Sequence, residues 1–204
     1  MGSLVYLELH SNKLSDEELK VMVEAGTTFT VTPEVEMQMG HGLPVTGRLL
    51  ALGTAPSIGI DVETNISSEM LWASRFALQV QRGLDNIATN AAGEEVRRVS
   101  IGTRQALEWA TVEGARAMGL ADRTGTLEVG KQADVILIRG DDLNLFPVSV
   151  PAETVLYQSS SANVDTVIIA GRIRKQGGVL LHPGLSDLKA RLADSGRRLL
   201  HDVQ

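Results

Sequence analysis

From residue 4 to residue 61 the chain repeats one rhythm: a short apolar or β-branched run, a polar residue at its end, then an amphipathic helical stretch. The run at 4–9 ends at His10. Ser15-Asp16-Glu17-Glu18 then forms a capping-box pattern ahead of Leu19, Val21, Met22 and Val23, and Gly26 closes that helix. Residues 27–32 are β-branched and strand-like, and Pro33 ends them. A loop is expected through Glu34, Glu36, Gly40, His41 and Gly42 to Pro44, then a short helix over 45–52 and a buried strand at 57–60 ending at Asp61. Strands alternating with helices predict a parallel sheet, because parallel neighbours need a crossover that a helix supplies.

Beyond Asp61 the spacing of Met70, Leu71, Phe76, Leu78 and Val80 predicts a helix over 67–83, capped by Ser67 or Ser68 and followed by a polar loop at 86–95. Thr103 opens another helix, and a second runs from Thr111 to Met118. After Gly125 the period shortens, predicting β segments at 133–139, 154–157, 164–170, 172–174 and 178–181, with Ala170-Gly171 as a tight hairpin turn. Leu185, Leu188, Leu192, Leu199 and Leu200 among charged residues mark a terminal amphipathic helix.

Composition removes several classes of function. The 204 residues contain no cysteine, which excludes thiolate nucleophiles, redox pairs and Cys-type zinc sites and fits a reducing cytoplasm. Nineteen Lys and Arg against 25 Asp and Glu leave a net charge of −6 without a basic stripe, which argues against a nucleic-acid partner. Apolar stretches such as 164–170 fall far short of the roughly 20 residues that span a membrane. Met1-Gly2-Ser3 joined directly to an apolar strand reads as a cloning remnant on a cut chain.

None of the four histidines, His10, His41, His182 and His201, lies in HxH or HExxH spacing, so no metal site is local in sequence. His10 and Asp61 instead follow strands, where parallel α/β folds place catalytic groups. In a plainer reading both are turn or capping residues. The G-x-x-x-x-G-K pattern at 125–131 is not a phosphate loop: Gln132 replaces the magnesium-binding hydroxyl, and a strand follows where a helix is required. Asn65-Ile66-Ser67 matches a glycosylation acceptor but reads more simply as a helix cap, while Met37 and Met39 beside Glu34 and Glu36 fit either a pocket lining or half-buried packing.

Together these segments resemble the C-terminal portion of the metal-dependent amidohydrolase superfamily, in its chlorohydrolase and cytosine-deaminase-like branch. Leu7-Glu8-Leu9-His10 with 14–19 resembles the sixth barrel strand, its histidine and the following helix; Thr30-Val31-Thr32-Pro33 resembles the seventh strand and Ser57-Ile58-Gly59-Ile60-Asp61 the eighth. Residues 103–116 and 125–134 are similar to the family's helix pair and its return to a β-sandwich, and 164–172 extend the match.

The resemblance implies an α/β fold: the C-terminal part of a (β/α)8 barrel over 4–122, a β-sandwich portion over 123–182 and a terminal helix over 183–204. It implies a divalent metal, zinc or iron, with Asp61 as metal ligand and proton carrier. His10 would contact the water or substrate, and Glu34, Glu36 and His41 would contact a nitrogen-heterocycle substrate. The reaction implied is hydrolysis of a carbon–nitrogen or carbon–halogen bond, ring deamination above all. A complete barrel takes about 250 residues, so the barrel is expected to be incomplete. The family's HxH, fifth-strand histidine and nearby acidic residue have no counterpart, and the chain alone is expected to be inactive and to bind no metal. An apolar edge at 4–9 is expected to favour a homo-oligomer. The alternative is a non-catalytic binding or assembly module. A doubly wound nucleotide binder finds no Gly-rich loop in its support.

Overall fold

The computed structural model describes residues 7–202; the parts of the first strand and of the tail beyond those limits, and the Met1-Gly2-Ser3 reading, lie outside the described residues. Three strands, β1 (Leu7–Leu9), β2 (Thr28–Val31) and β3 (Ser57–Ile58), form a parallel sheet in the order β1-β2-β3. The crossovers are α1 (Asp16–Glu24) between the first two strands and α2 (Pro33–Gln38) with α3 (Thr46–Ala51) between the second pair. The capping box that the sequence predicts closes around α1: Ser15 Oγ accepts the Glu18 amide and Glu18 accepts the Ser15 amide. At the end of β3, Gly59 is closely flanked: a Cβ there would stand 3.0 Å from the Thr30 and Thr32 methyls. Its amide continues the ladder to Val31 O at 3.0 Å.

Helix α4 (Met70–Ala91) crosses the sheet's helical layer and is followed by α5 (Thr103–Trp109) and α6 (Val112–Ala117). Leu19, Phe29, Val31, Leu49, Leu78 and Trp109, all nearly inaccessible, form the core between the sheet and these helices. The loop expected from residue 86 begins later, since α4 runs on to Ala91. Asp85 is bonded by Gln81 and Thr89 along that turn, and Gly93 with φ 76° ends it.

The second sheet is antiparallel, in the order β4 (Val135–Ile138), β5 (Val164–Ile169), β6 (Arg172–Gln176) and β7 (Val179–Leu180). Ala170 and Gly171, with φ 49° and 75°, make the tight turn between β5 and β6. Gly125, whose phosphate-loop reading the sequence rejects, has a packing role: at φ 95° its missing Cβ would lie 2.6 Å from Ala115 Cβ.

The strand expected at 154–157 is helical. The short α7 (Pro151–Glu153) opens into a wide helical turn over Thr154–Gln158, which places Leu156 in the core cluster that includes Trp109. Burial of Leu156 on a helical period overrides the β-branched pattern. Arg75 of α4 fixes this connector by donating to Leu156 O and Ser159 O, and its guanidinium lies 5.1 Å from the Trp72 ring. The tail is the helix α8 (Leu185–Asp202). No helix among the described residues is long and apolar enough to cross a membrane.

Candidate active site

The three parallel strands deliver three polar residues to one edge: His10 directly after β1, Thr32 directly after β2 and Asp61 three residues after β3. His10 Nε2 lies 3.5 Å from Asp61 Oδ2, and its other ring nitrogen, Nδ1, lies 3.3 Å from Thr32 Oγ1. Both His10 and Asp61 have left-handed backbones, φ 56° and 64°. Residues in this conformation cost strain unless their surroundings hold them, and such strain concentrates at functional sites.

Behind the histidine stands Glu36. Pro33 at the first position of α2 starts a helix where a loop is expected from the sequence, and this turns Glu36 inward until the residue is only 1% exposed. Glu36 Oε1 accepts the Thr32 amide at 2.9 Å and the Thr32 hydroxyl at 3.4 Å, and lies 3.8 Å from His10 Nδ1. Glu36 Oε2 is buried with no hydrogen-bond partner among the described residues.

The other residues expected at the site divide. His41 joins the cluster: its ring meets His10 edge to face with centroids 5.0 Å apart, and its amide donates to Glu36 O. Glu34 points to the loop that carries Asp61, where its carboxylate accepts Ser67 Oγ and Trp72 Nε1, each at 2.7 Å. Gln38 adds a bond to Asn65 O in the same loop. Ser67 thus braces Glu34, and the residue at the N-cap of α4 is Glu69. His182 lies at the turn before α8, with Nδ1 accepting the Gly184 amide.

Sequence reasoning passed over Thr32 and Trp72. Thr32 stands at a strand end just as His10 and Asp61 do, which is the signal that singles it out; Trp72 carries no local signal beyond a helical position.

Whether this set could hold a divalent ion follows from its donors. Asp61, with a side chain 40% exposed at a strand end, suits a single ligand position. Among the described residues no three His, Cys, Asp or Glu side chains are grouped to hold a metal, so the set does not fit a complete metal site by itself. What it offers unaided is an imidazole nitrogen and a carboxylate oxygen facing each other 3.5 Å apart at the strand ends.

Comparison with known proteins identifies the family. The sequence model of the Amidohydrolase family matches residues 5–174. A 5-methylthioadenosine/S-adenosylhomocysteine deaminase of Desulforudis audaxviator is 31% identical over 198 residues, covering 97% of this chain and 44% of the relative. One of the same name from Teredinibacter turnerae is 31% identical over 173 residues, covering 84% of this chain and 37% of the relative. The chain thus spans about two fifths of the length of these curated relatives. Among solved structures, an adenosine deaminase from Xanthomonas campestris with bound zinc superposes with a TM-score of 0.81 at 24% identity, over 96% of this chain and 42% of that one. Atrazine chlorohydrolase from Arthrobacter aurescens complexed with zinc gives 0.75 at 21% identity, over 92% and 40%. At these identities the structural likeness shows the fold alone: the C-terminal part of a (β/α)8 barrel and the antiparallel sheet after it. The chain belongs to the amidohydrolase family.

Proposed function

We propose that this chain supplies part of the active site of a hydrolase that deaminates a nitrogen heterocycle, with a divalent metal, zinc or iron, held by Asp61 and by donors outside the described residues. The observation that carries the reading is the meeting of His10 Nε2 and Asp61 Oδ2 at 3.5 Å over the ends of β1 and β3. Relatives named as 5-methylthioadenosine/S-adenosylhomocysteine deaminases direct the choice of substrate class. In this reading Asp61 Oδ2 and His10 Nε2 carry the proton that the departing nitrogen needs, and the edge-on His41 ring with Met37 and Met39, both exposed, offers contacts to a flat ring. Glu34 supports the Asp61 loop through Ser67 and Trp72.

The test is ammonia release by the full-length protein from 5′-methylthioadenosine, S-adenosylhomocysteine, adenosine and an aminotriazine. Release from at least one, lost in Asp61→Asn, is the expected result; no release from any overturns the reading.

A second reading, a non-catalytic assembly module, draws support from the absence of a grouped metal-ligand set among the described residues. It predicts that the full-length protein also releases no ammonia and that Asp61→Asn changes nothing measurable.

A further inference from the structure

A histidine at a proton-transfer site has two neutral forms, and the one it adopts is set by the hydrogen bond made by the nitrogen facing away from the chemistry. At His10 that nitrogen is Nδ1, and its neighbour is the Thr32 hydroxyl at 3.3 Å. A hydroxyl has one hydrogen to give. Thr32 Oγ1 is also placed to give that hydrogen to Glu36 Oε1 at 3.4 Å, and this oxygen is fixed as an acceptor by the Thr32 amide at 2.9 Å. With its hydrogen directed to Glu36, the hydroxyl faces Nδ1 as an acceptor.

We infer that Glu36 is a positioning residue which, through Thr32, holds His10 in the form protonated at Nδ1 and leaves the Nε2 lone pair directed at Asp61. It rests on the reading of His10 as the proton carrier of this site and assigns Glu36 a role at the imidazole rather than at the substrate. Two acceptors then face each other, Nε2 and Oδ2, and this arrangement favours a ligand that brings hydrogens to share, such as water or an exocyclic amine.

The test is the long-range 1H–15N spectrum of the 204-residue chain labelled at histidine, taken at about pH 9, well above the ordinary imidazole value, with the His10 signal assigned by its loss in His10→Gln. The expected result is a protonated Nδ1 and a bare Nε2. Glu36→Gln keeps that pattern, because the Thr32 amide still requires an oxygen at Oε1. Glu36→Met removes the acceptor, frees the Thr32 hydroxyl to donate to Nδ1 and moves the majority proton to Nε2. Thr32→Val, nearly isosteric, also loses the Nδ1 preference and serves if Glu36→Met does not fold. A bare Nδ1 in the unaltered chain overturns the inference. So does an unmoved pattern in Glu36→Met or in Thr32→Val with native-like backbone spectra. No turnover enters this readout, so failure to release ammonia tells against the deaminase reading alone, and a bare Nδ1 tells against this inference alone.

Discussion

His10 and Asp61 follow the two outer strands of a three-stranded parallel sheet, yet Nε2 and Oδ2 are 3.5 Å apart across the end of the middle strand. Two strand spacings separate backbones by about 9–10 Å. The left-handed backbones at both residues, φ 56° and 64°, occur where the chain turns out of the sheet and the two side chains converge. His and Asp are among the residues that tolerate this conformation best.

Asp61→Asn keeps both the shape and the tolerance for positive φ while removing the charge. In the full-length protein it is expected to lower kcat by at least about 10²-fold, the low end for a lost proton-transfer group. Thermal unfolding should shift little, because the side chain is substantially exposed.

Leu156→Ala tests the assignment of the connector to the core. Leu156 is fully buried in the core cluster that includes Trp109, and truncating a leucine in such a position costs about 2–5 kcal/mol. Urea unfolding reads the loss directly. A cost below about 0.5 kcal/mol, the range of surface positions, would contradict the wide helical turn.

Gly125→Ala places a methyl 2.6 Å from Ala115 Cβ at a backbone φ of 95°. Overpacking of this kind costs about 1–3 kcal/mol. The double variant Gly125→Ala with Ala115→Gly should recover the steric part and leave the backbone strain, a separation that a double-mutant cycle measures.

The antiparallel sheet is expected to weaken in acid. The Ala170 amide, at 2.6 Å, and the Thr124 hydroxyl, at 3.0 Å, donate to Asp134 and hold its carboxyl below the ordinary value of 3.8. A value depressed on folding contributes stability above the unfolded value, and that contribution disappears as pH falls through the folded value. Asn163 acts on Asp142 in the same direction. Unfolding midpoints below pH 4 should therefore fall less steeply in Asp134→Asn than in the unaltered chain.

Metal analysis after gel filtration should find well under one divalent ion per chain when the chain is purified alone. A single carboxylate of the Asp61 kind does not replace the three or four ligands that hold zinc. A ratio near one would mean that His41 or a second copy completes the coordination.

The parallel strands, the α1 capping box and the Ala170-Gly171 turn follow from local patterns, and so does the placing of His10 and Asp61 at strand ends. Glu36 was not legible as a buried residue. Its burial depends on the Thr32 amide and on the histidine one strand away, neither of which leaves a mark in the run Pro33 to Met37. Leu156 escaped for a similar reason, since only its place in a buried cluster with residues of other elements distinguishes its helical turn from a strand. Local chemistry shows itself in the sequence; burial set by a distant partner does not.

One turn of α4 has two attachments. Trp72 holds Glu34, which steadies the loop carrying Asp61, and Arg75, over the same indole, holds the carbonyls of Leu156 and Ser159 on the way to the second sheet. The Asp61 loop and the connector to the antiparallel sheet are thus anchored within a single turn of the same helix. Substitutions at Arg75 should be felt as a loosening of the Asp61 loop before they are felt as a loss of fold.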